Sequence, residues 1–260
     1  MFGNSFNKFF LRFFPLPKFI SEPFFGLDIS DESLKFVELI NTKNGIRIGR
    51  YGEQSIPSGV IESGKIKDSK KMEEILSTLR KEEKVKFVRV SLPEEQAYLF
   101  ALKLEKLGLK NVREGIELAL EDHVPISAED AIFDYELVSK NTQNLEVQVT
   151  AVPKNIIENY LLIFQQSQIS VKSFELEAQA ISRAVLKKGD MDTYMIIDFG
   201  KKRTGIFIVS KGIVVFTFTL DLGGVMLTKM IQKNFNVSFE EAEKMKEKYG
   251  LERNVDNKEI

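Results

Sequence analysis

The chain has no cysteine and a single histidine among its 260 residues. Without cysteine there is no disulfide, no thiol nucleophile and no cysteine metal site. One histidine, His123, excludes a histidine-rich metal centre. It follows a helical pattern and precedes Val124-Pro125, so it reads as a helix-end residue; imidazole chemistry would also need an orienting partner. Charge of one sign is missing too. The 37 Lys+Arg and 38 Asp+Glu leave a net charge of −1, so no electrostatic footprint points to nucleic acid. No stretch approaches the ~20 apolar residues of a membrane span. With no signal-peptide core either, the expectation is a cytoplasmic protein.

What the chain does have is one local grammar written twice, about 170 residues apart. FFGLDISDESLKFVEL, residues 24–39, and YMIIDFGKKRTGIFIVS, residues 194–210, each run an apolar strand into an acid, Asp28 or Asp198. Each then turns, on Ser30 or Gly200, and returns as a second strand. A duplicated acidic-tipped hairpin suits the gripping of a nucleoside polyphosphate between two domain halves. Turn amides reach the phosphates, and the two aspartates hold a magnesium ion, mostly through water.

Four segments are expected. Residues 1–23 form a phenylalanine-rich arm. Phe2, Phe6, Phe9, Phe10, Phe13 and Phe14 fall on one helical face before Pro15 and Pro17 end the helix. The arm either lies in a membrane interface, with Lys8 and Arg12 near lipid phosphates, or packs on protein. Residues 24–93 read as an α/β half of order β-β-β-α-β. Residues 94–170 read as an inserted α+β subdomain. Residues 171–260 repeat the first half and look unfinished, since a final strand and a further glycine-rich turn would complete them. Ser238 with Glu241 three residues on is a capping box at the head of the last helix.

Around the hairpins several residues are candidates for nucleotide binding. Ser30 and Ser33 offer hydroxyls. Lys35 is either a phosphate neutraliser or a solvated strand lysine. Thr204 places a hydroxyl beyond the second turn, or is a plain strand threonine. Gly223-Gly224, after a strand and before a helix, lets backbone approach a ligand and lets helix amides face an anion, or is a common loop. Glu243 and Lys246, three apart on one helical face, bracket a ribose or purine, or form a surface pair worth ~0.2–0.5 kcal/mol.

These segments resemble the actin-like nucleotide-binding superfamily, a duplicated ribonuclease-H-like α/β fold. The hairpins match its two phosphate segments. FELEAQAISRAV, 174–185, is similar to its connecting helix, which puts Glu177 where a catalytic-side residue faces the attacking water beside Asp198. More narrowly, three ordered stretches resemble the PilM family of cytoplasmic proteins of type IV pilus assembly. They are GLDISDESLKFVEL, the run from SLPEEQAYLF to FDYELV, and DLGGVMLTKMIQKNFNVSFEEAEKMKEKYG. The middle run also resembles the small domain shared with the division protein FtsA. The resemblance implies binding of ATP and Mg2+ with at most weak turnover. It also implies capture of the N-terminal cytoplasmic peptide of a PilN-like inner-membrane protein, contact with pilus motor and platform proteins, and a place at the inner face of the membrane.

Two departures from the family pattern stand out. Ser30 replaces a usual glycine. Lys201-Lys202-Arg203 replaces small or neutral residues, and these cations either clamp phosphate or mark a site not kept for ATP. The alternatives are an ATPase or phosphotransferase of the same superfamily, and a nucleotide-free actin-like module of a secretion platform.

Overall fold

A computed structural model describes residues 24–42, 45–105, 112–140 and 144–250. The phenylalanine-rich arm lies outside them. In chain order the first elements are β1 (Phe25–Ile29), β2 (Ser33–Thr42), β3 (Gly45–Ser55), β4 (Ile61–Glu62), β5 (Lys65–Ile66), α1 (Ser69–Glu82) and β6 (Phe87–Leu92). Then come β7 (Tyr98–Glu105), α2 (Val112–Ala119), β8 (Ala131–Lys140), β9 (Asn144–Pro153), α3 (Lys154–Gln166) and β10 (Ser170–Leu176). The last are α4 (Glu177–Val185), β11 (Thr193–Phe199), β12 (Thr204–Ser210), β13 (Ile213–Leu220), α5 (Gly224–Phe235) and α6 (Phe239–Tyr249). They form two compact units: residues up to Gln96 with Lys154–Glu177, and Ala97–Pro153 with the residues from Ala178 on.

The first unit is built on a five-stranded sheet of order β10-β6-β1-β2-β3. Alternation decides its faces. Phe25, Leu27 and Ile29 of β1 are buried, and Gly26 and Asp28 point the other way. β2 and β3 run antiparallel to their neighbours, whereas β6 and β10 are parallel to β1 and β6. α1 begins where the Asp68 carboxylate accepts from the Lys71 amide at 3.0 Å. It buries Met72, Leu76 and Leu79 completely, each worth about 1.5–3 kcal/mol. α3 buries Ile157, Tyr160, Ile163 and Phe164, while Leu161 is exposed.

On β2 the buried Glu38 is neutralised by Arg50 of β3, with Nε–Oε2 3.0 Å and Nη2–Oε1 3.2 Å. The hydrogen-bonded guanidinium holds this carboxyl below the usual range. It also lies 4.8 Å over the Phe25 ring.

The insert is shorter than the sequence reading had it: α3, placed inside the 94–170 insert, belongs to the first unit, and β10, placed at the head of the second half, pairs with β6 and completes the first sheet. The physical reason is that β6, once paired with β1, keeps a free edge, and a crossover through α3 can bring a parallel strand to it. The insert between Gln96 and Lys154 interrupts that crossover. Strand pairing at such separation leaves no mark in local periodicity.

In the second unit, β7-β9-β8 form a three-stranded antiparallel sheet. One face packs on Val112 and Ile116 of α2 and on Leu120 just beyond it. His123 ends this helical stretch as expected. Its Nδ1 donates to the Ala119 carbonyl at 2.9 Å, and its ring stacks on Phe100.

The second sheet, β11-β12-β13, packs Phe207, Val209 and Val214 against Ala178 and Ile181 of α4 and Leu99 of β7. Its other face carries Met195, Ile197, Phe199, Phe216, Phe218 and Leu220, between 38% and 64% exposed. No described element covers that face. The capping box forms at α6: the Ser238 hydroxyl takes the Glu241 amide, and the Glu241 carboxylate takes the Ser238 amide. No helix among the described residues is long and apolar enough to cross a membrane.

Candidate functional site

The two hairpins close on the same bond. The Ser30 amide donates to the Ser33 carbonyl at 2.9 Å, and the Gly200 amide donates to the Arg203 carbonyl at 2.8 Å. In each, the acid stands two residues earlier, half-buried at the strand end. Asp28 lies across the ladder from Lys35, and Asp198 from Gly205. Directly paired residues share a sheet face, so the exposed Lys35 lies on the face that carries Asp28.

In the first unit the Asp28 carboxylate is oriented by β6. Its Oδ1 accepts from the Ser91 hydroxyl at 2.5 Å. The Ser30 hydroxyl, expected to reach out of the turn, is instead turned into it. It accepts from the amides of Glu32 and Ser33 at 3.4 and 3.2 Å and donates to the Ser33 carbonyl at 3.1 Å. A serine in a turn satisfies local backbone groups in this way. Ser33 opens β2 beside it. Glu177 is the first residue of α4, half-buried, where a carboxylate is favourable to the helix dipole.

In the second unit the candidate residues meet. Gly223 and Gly224 stand at the start of α5, directly against the β11–β12 turn. A Cβ on Gly223 would lie 2.6 Å from the Lys202 carbonyl carbon and 2.7 Å from the Gly200 and Lys201 oxygens. The Gly224 amide donates to the Gly200 carbonyl at 3.1 Å, and the Val225 amide to the Lys201 carbonyl at 2.9 Å.

The first two amides of α5 are therefore taken by the turn's carbonyls, and that of Met226 by the Gly223 carbonyl, so they do not face outward to an anion, as one of the two sequence readings had them. Helix N-terminal donors need acceptors, and the turn supplies them. Thr204 is likewise diverted. It is buried, and its hydroxyl donates to the Leu222 carbonyl at 2.6 Å, fastening β12 to the short loop between β13 and Gly223.

Glu243 and Lys246 project from α6 onto the same spot. Lys246 Nζ contacts Glu243 Oε1 at 2.7 Å, the Thr228 hydroxyl at 2.9 Å and the Gly224 carbonyl at 3.3 Å. Thr228, fully buried, also bonds Glu243. The Lys246 and Thr228 hydrogen bonds hold the Glu243 carboxyl below its usual range. This is more than a surface pair, because a buried hydroxyl and a helix-terminal carbonyl complete it. Arg203 of the turn contacts the exposed Asp221 at 3.3 Å.

Gly200, Thr204, Gly223, Gly224, Glu243 and Lys246 thus form one continuous cluster. Asp28, Ser30, Ser33 and Lys35 form a second in the other unit. Among the described residues, no group of three or more His, Asp or Glu side chains is arranged to hold a metal by itself. Magnesium binds through one or two carboxylates together with phosphate oxygens and water, and each hairpin taken by itself offers one such carboxylate, Asp28 in the first unit and Asp198 in the second. Thr228 and Ser91 were missed in the sequence, because their roles depend on partners 15 and 63 residues away.

Comparison with known proteins places this geometry. The family model for type IV pilus assembly protein PilM matches residues 26–259. The chain belongs to the PilM family. Its fold is similar to that of a solved PilM-PilN type IV pilus biogenesis complex, with a TM-score of 0.72, 19% identity, and cover of 87% of this chain and 69% of that one. The cytoplasmic domain of EpsL, an inner-membrane component of the Vibrio cholerae type II secretion system, is similar with a TM-score of 0.53 and 12% identity. There 84% of this chain and 78% of that one are covered. The cell division protein FtsA of Bacillus subtilis is 31% identical over 109 residues, 41% of this chain and 25% of FtsA. The PilM-family chain thus has an actin-like α/β fold, and its match spans about a quarter of that curated relative.

Proposed function

We propose that this PilM-family chain is a nucleotide-responsive adaptor. It binds ATP with Mg2+ and captures the N-terminal cytoplasmic peptide of a PilN-like inner-membrane protein. The observation that carries the nucleotide half is the cluster around Gly223. The second turn, the glycine pair and the Glu243–Lys246–Thr228 network are fastened together by backbone and side-chain bonds.

In this reading Lys246 and Glu243 serve the sugar and base, and the two hairpin turns serve the phosphates. Asp28 and Asp198 orient water on magnesium, which neutralises phosphate charge when bound. Lys35 adds a cation on the Asp28 face, and Glu177 stands on the water side. Turnover is weak, and ATP acts mainly by changing conformation. Family membership supports the peptide half, as does the fold likeness to a PilM solved with PilN. Contacts with pilus motor and platform proteins at the inner face of the membrane follow from the same role.

The test is capture of a synthetic PilN-like N-terminal peptide by the full chain, with and without ATP-magnesium. Saturable binding that changes with ATP is expected. No binding under either condition rules out the adaptor role.

A second reading is a nucleotide-free structural module. One observation favours it: the α5 N-terminal amides are spent on the turn. Under that reading ATP-magnesium leaves stability unchanged.

A further inference from the structure

The tip of the β4–β5 hairpin is held in an uncommon way. Ser63 and Gly64 both have left-handed backbones, with φ 51° and 73°. Serine rarely keeps that conformation without outside ties. The ties come from three separate places. Asp31, inside the β1–β2 turn, accepts from the Ser63 and Gly64 amides through its two carboxylate oxygens, each at 3.0 Å. The Gln96 side-chain amide donates to the Ser63 carbonyl at 2.5 Å. The Tyr160 hydroxyl donates to the Gly64 carbonyl at 3.0 Å. All four backbone polar groups of the dipeptide are therefore taken by side chains.

The fit is also close in space. A Cβ on Gly64 would lie 3.1 Å from Gln96 Cγ and from Pro93. Tyr160 is 1% exposed. Burial, then the charges of Asp31 and Glu95, raise its phenol well above the usual range, so it remains a donor.

The location of these residues gives the tie a purpose. Gln96 is the last residue of the first unit before the chain passes into the insert, and Lys154, where the chain returns, is six residues before Tyr160. Asp31 sits three residues after Asp28. We propose that the hairpin tip is a latch through which Asp31, as a positioning residue, couples the β1–β2 turn to both points where the insert joins the first unit. The nucleotide part of this proposal rests on the reading above.

The mechanism is electrostatic. A phosphate at the turn repels the Asp31 carboxylate, and Asp31 cannot swing away without releasing both amides together. Ser63 then relaxes from its left-handed conformation, and the grips of Gln96 and Tyr160 loosen with it. The latch thus has two discrete arrangements that an anion biases, which is the physical requirement for coupling between sites.

The experiment is amide hydrogen exchange on the full chain, for the parent, Asp31→Asn and Tyr160→Phe, free and with ATP-magnesium. Without nucleotide, Asp31→Asn is expected to speed exchange about tenfold at 63–64 and also across 93–98 and 154–160, as local opening governs exchange. Tyr160→Phe, which removes only the partner of the Gly64 carbonyl, is expected to speed exchange at 154–160 and, more weakly, at the β1–β2 turn. With ATP-magnesium the parent changes exchange at both joining points. Asp31→Asn still binds ATP but loses those distant changes, a loss that a merely local structural role would not produce.

Faster exchange confined to 63–64 in Asp31→Asn would overturn the latch. So would unaltered distant responses to ATP in that variant. If the parent binds no ATP by calorimetry, the nucleotide reading fails on its own. The nucleotide-free comparison then still decides whether the turn and the joining points are linked. Should Asp31→Asn fail to fold, Gln96→Ala read at the β1–β2 turn decides the same question from the other end.

Discussion

Replacing Gly223 by alanine isolates the contact on which the second-unit cluster depends. Its backbone, φ −157° and ψ −170°, is extended, so alanine is allowed there and any cost is one of space. The new methyl would meet three backbone atoms of the β11–β12 turn at 2.6–2.7 Å. Backbone cannot rotate away as a flexible side chain can, so the turn or α5 must move. Overpacking costs about 1–3 kcal/mol. The displacement also stretches two hydrogen bonds, Gly224 to Gly200 and Val225 to Lys201, worth ~0.5–1.5 kcal/mol each. Partial relaxation keeps these from adding fully, which leaves a loss of about 2–4 kcal/mol.

Gly224→Ala is the internal control. Its Cβ would meet the end of the Lys246 side chain at 3.4 Å and the Lys201 and Gly200 carbonyl oxygens at 3.9 and 4.0 Å, all ordinary contacts. Gly224 is also the first helical residue, where alanine is worth up to about 1 kcal/mol in helix propensity. Gly224→Ala is therefore expected to be neutral or slightly stabilising. Urea unfolding of the parent and both variants measures this, and the midpoint of Gly223→Ala alone should fall clearly. Equal midpoints for the two variants would refute the packing argument and detach the turn from the helix.

Two further outcomes follow from buried polar groups. Thr228→Val keeps shape but removes the hydroxyl that bonds Lys246, Glu243 and Gly224; the expected loss is about 1–3 kcal/mol, read by urea unfolding, with weaker ATP binding. Glu38→Gln is expected to cost ~1.5–3 kcal/mol at pH 7 and to flatten the acid limb of stability. The carboxyl of Glu38 is lowered in the folded chain by Arg50, so its contribution is complete above the unfolded value of about 4.3. It fades as pH falls through the lower folded value, and unfolding midpoints at pH 7 and pH 3.5 should converge between parent and variant.

The local features were legible in the sequence because short-range physics makes them. Both hairpins form, and Ser238 with Glu241 caps α6. Alternation and capping depend on residues two to four apart, and the text of the chain records them. What escaped depends on distant partners. β10 joins β6 across some 80 residues, and nothing in SVKSFEL names its neighbour. Thr204 and Ser30 carry the hydroxyls that a phosphate site would use, yet the fold spends them on Leu222 and on the turn itself. Gly223 was read for its reach toward a ligand, when its missing Cβ admits the second turn. Asp31 escaped too, because its partners Ser63 and Gly64 come 32 and 33 positions later.

The most direct test of the central claim is a thermal-shift titration with ATP-magnesium on the parent and on Asp198→Ala. At a hundredfold excess over the dissociation constant, a ligand specific to the folded state contributes about 2.7 kcal/mol. In a chain of this size that raises the midpoint by roughly 5–10 °C. That rise is expected in the parent, and its loss in Asp198→Ala. No shift in the parent, or the same shift in both, would contradict it.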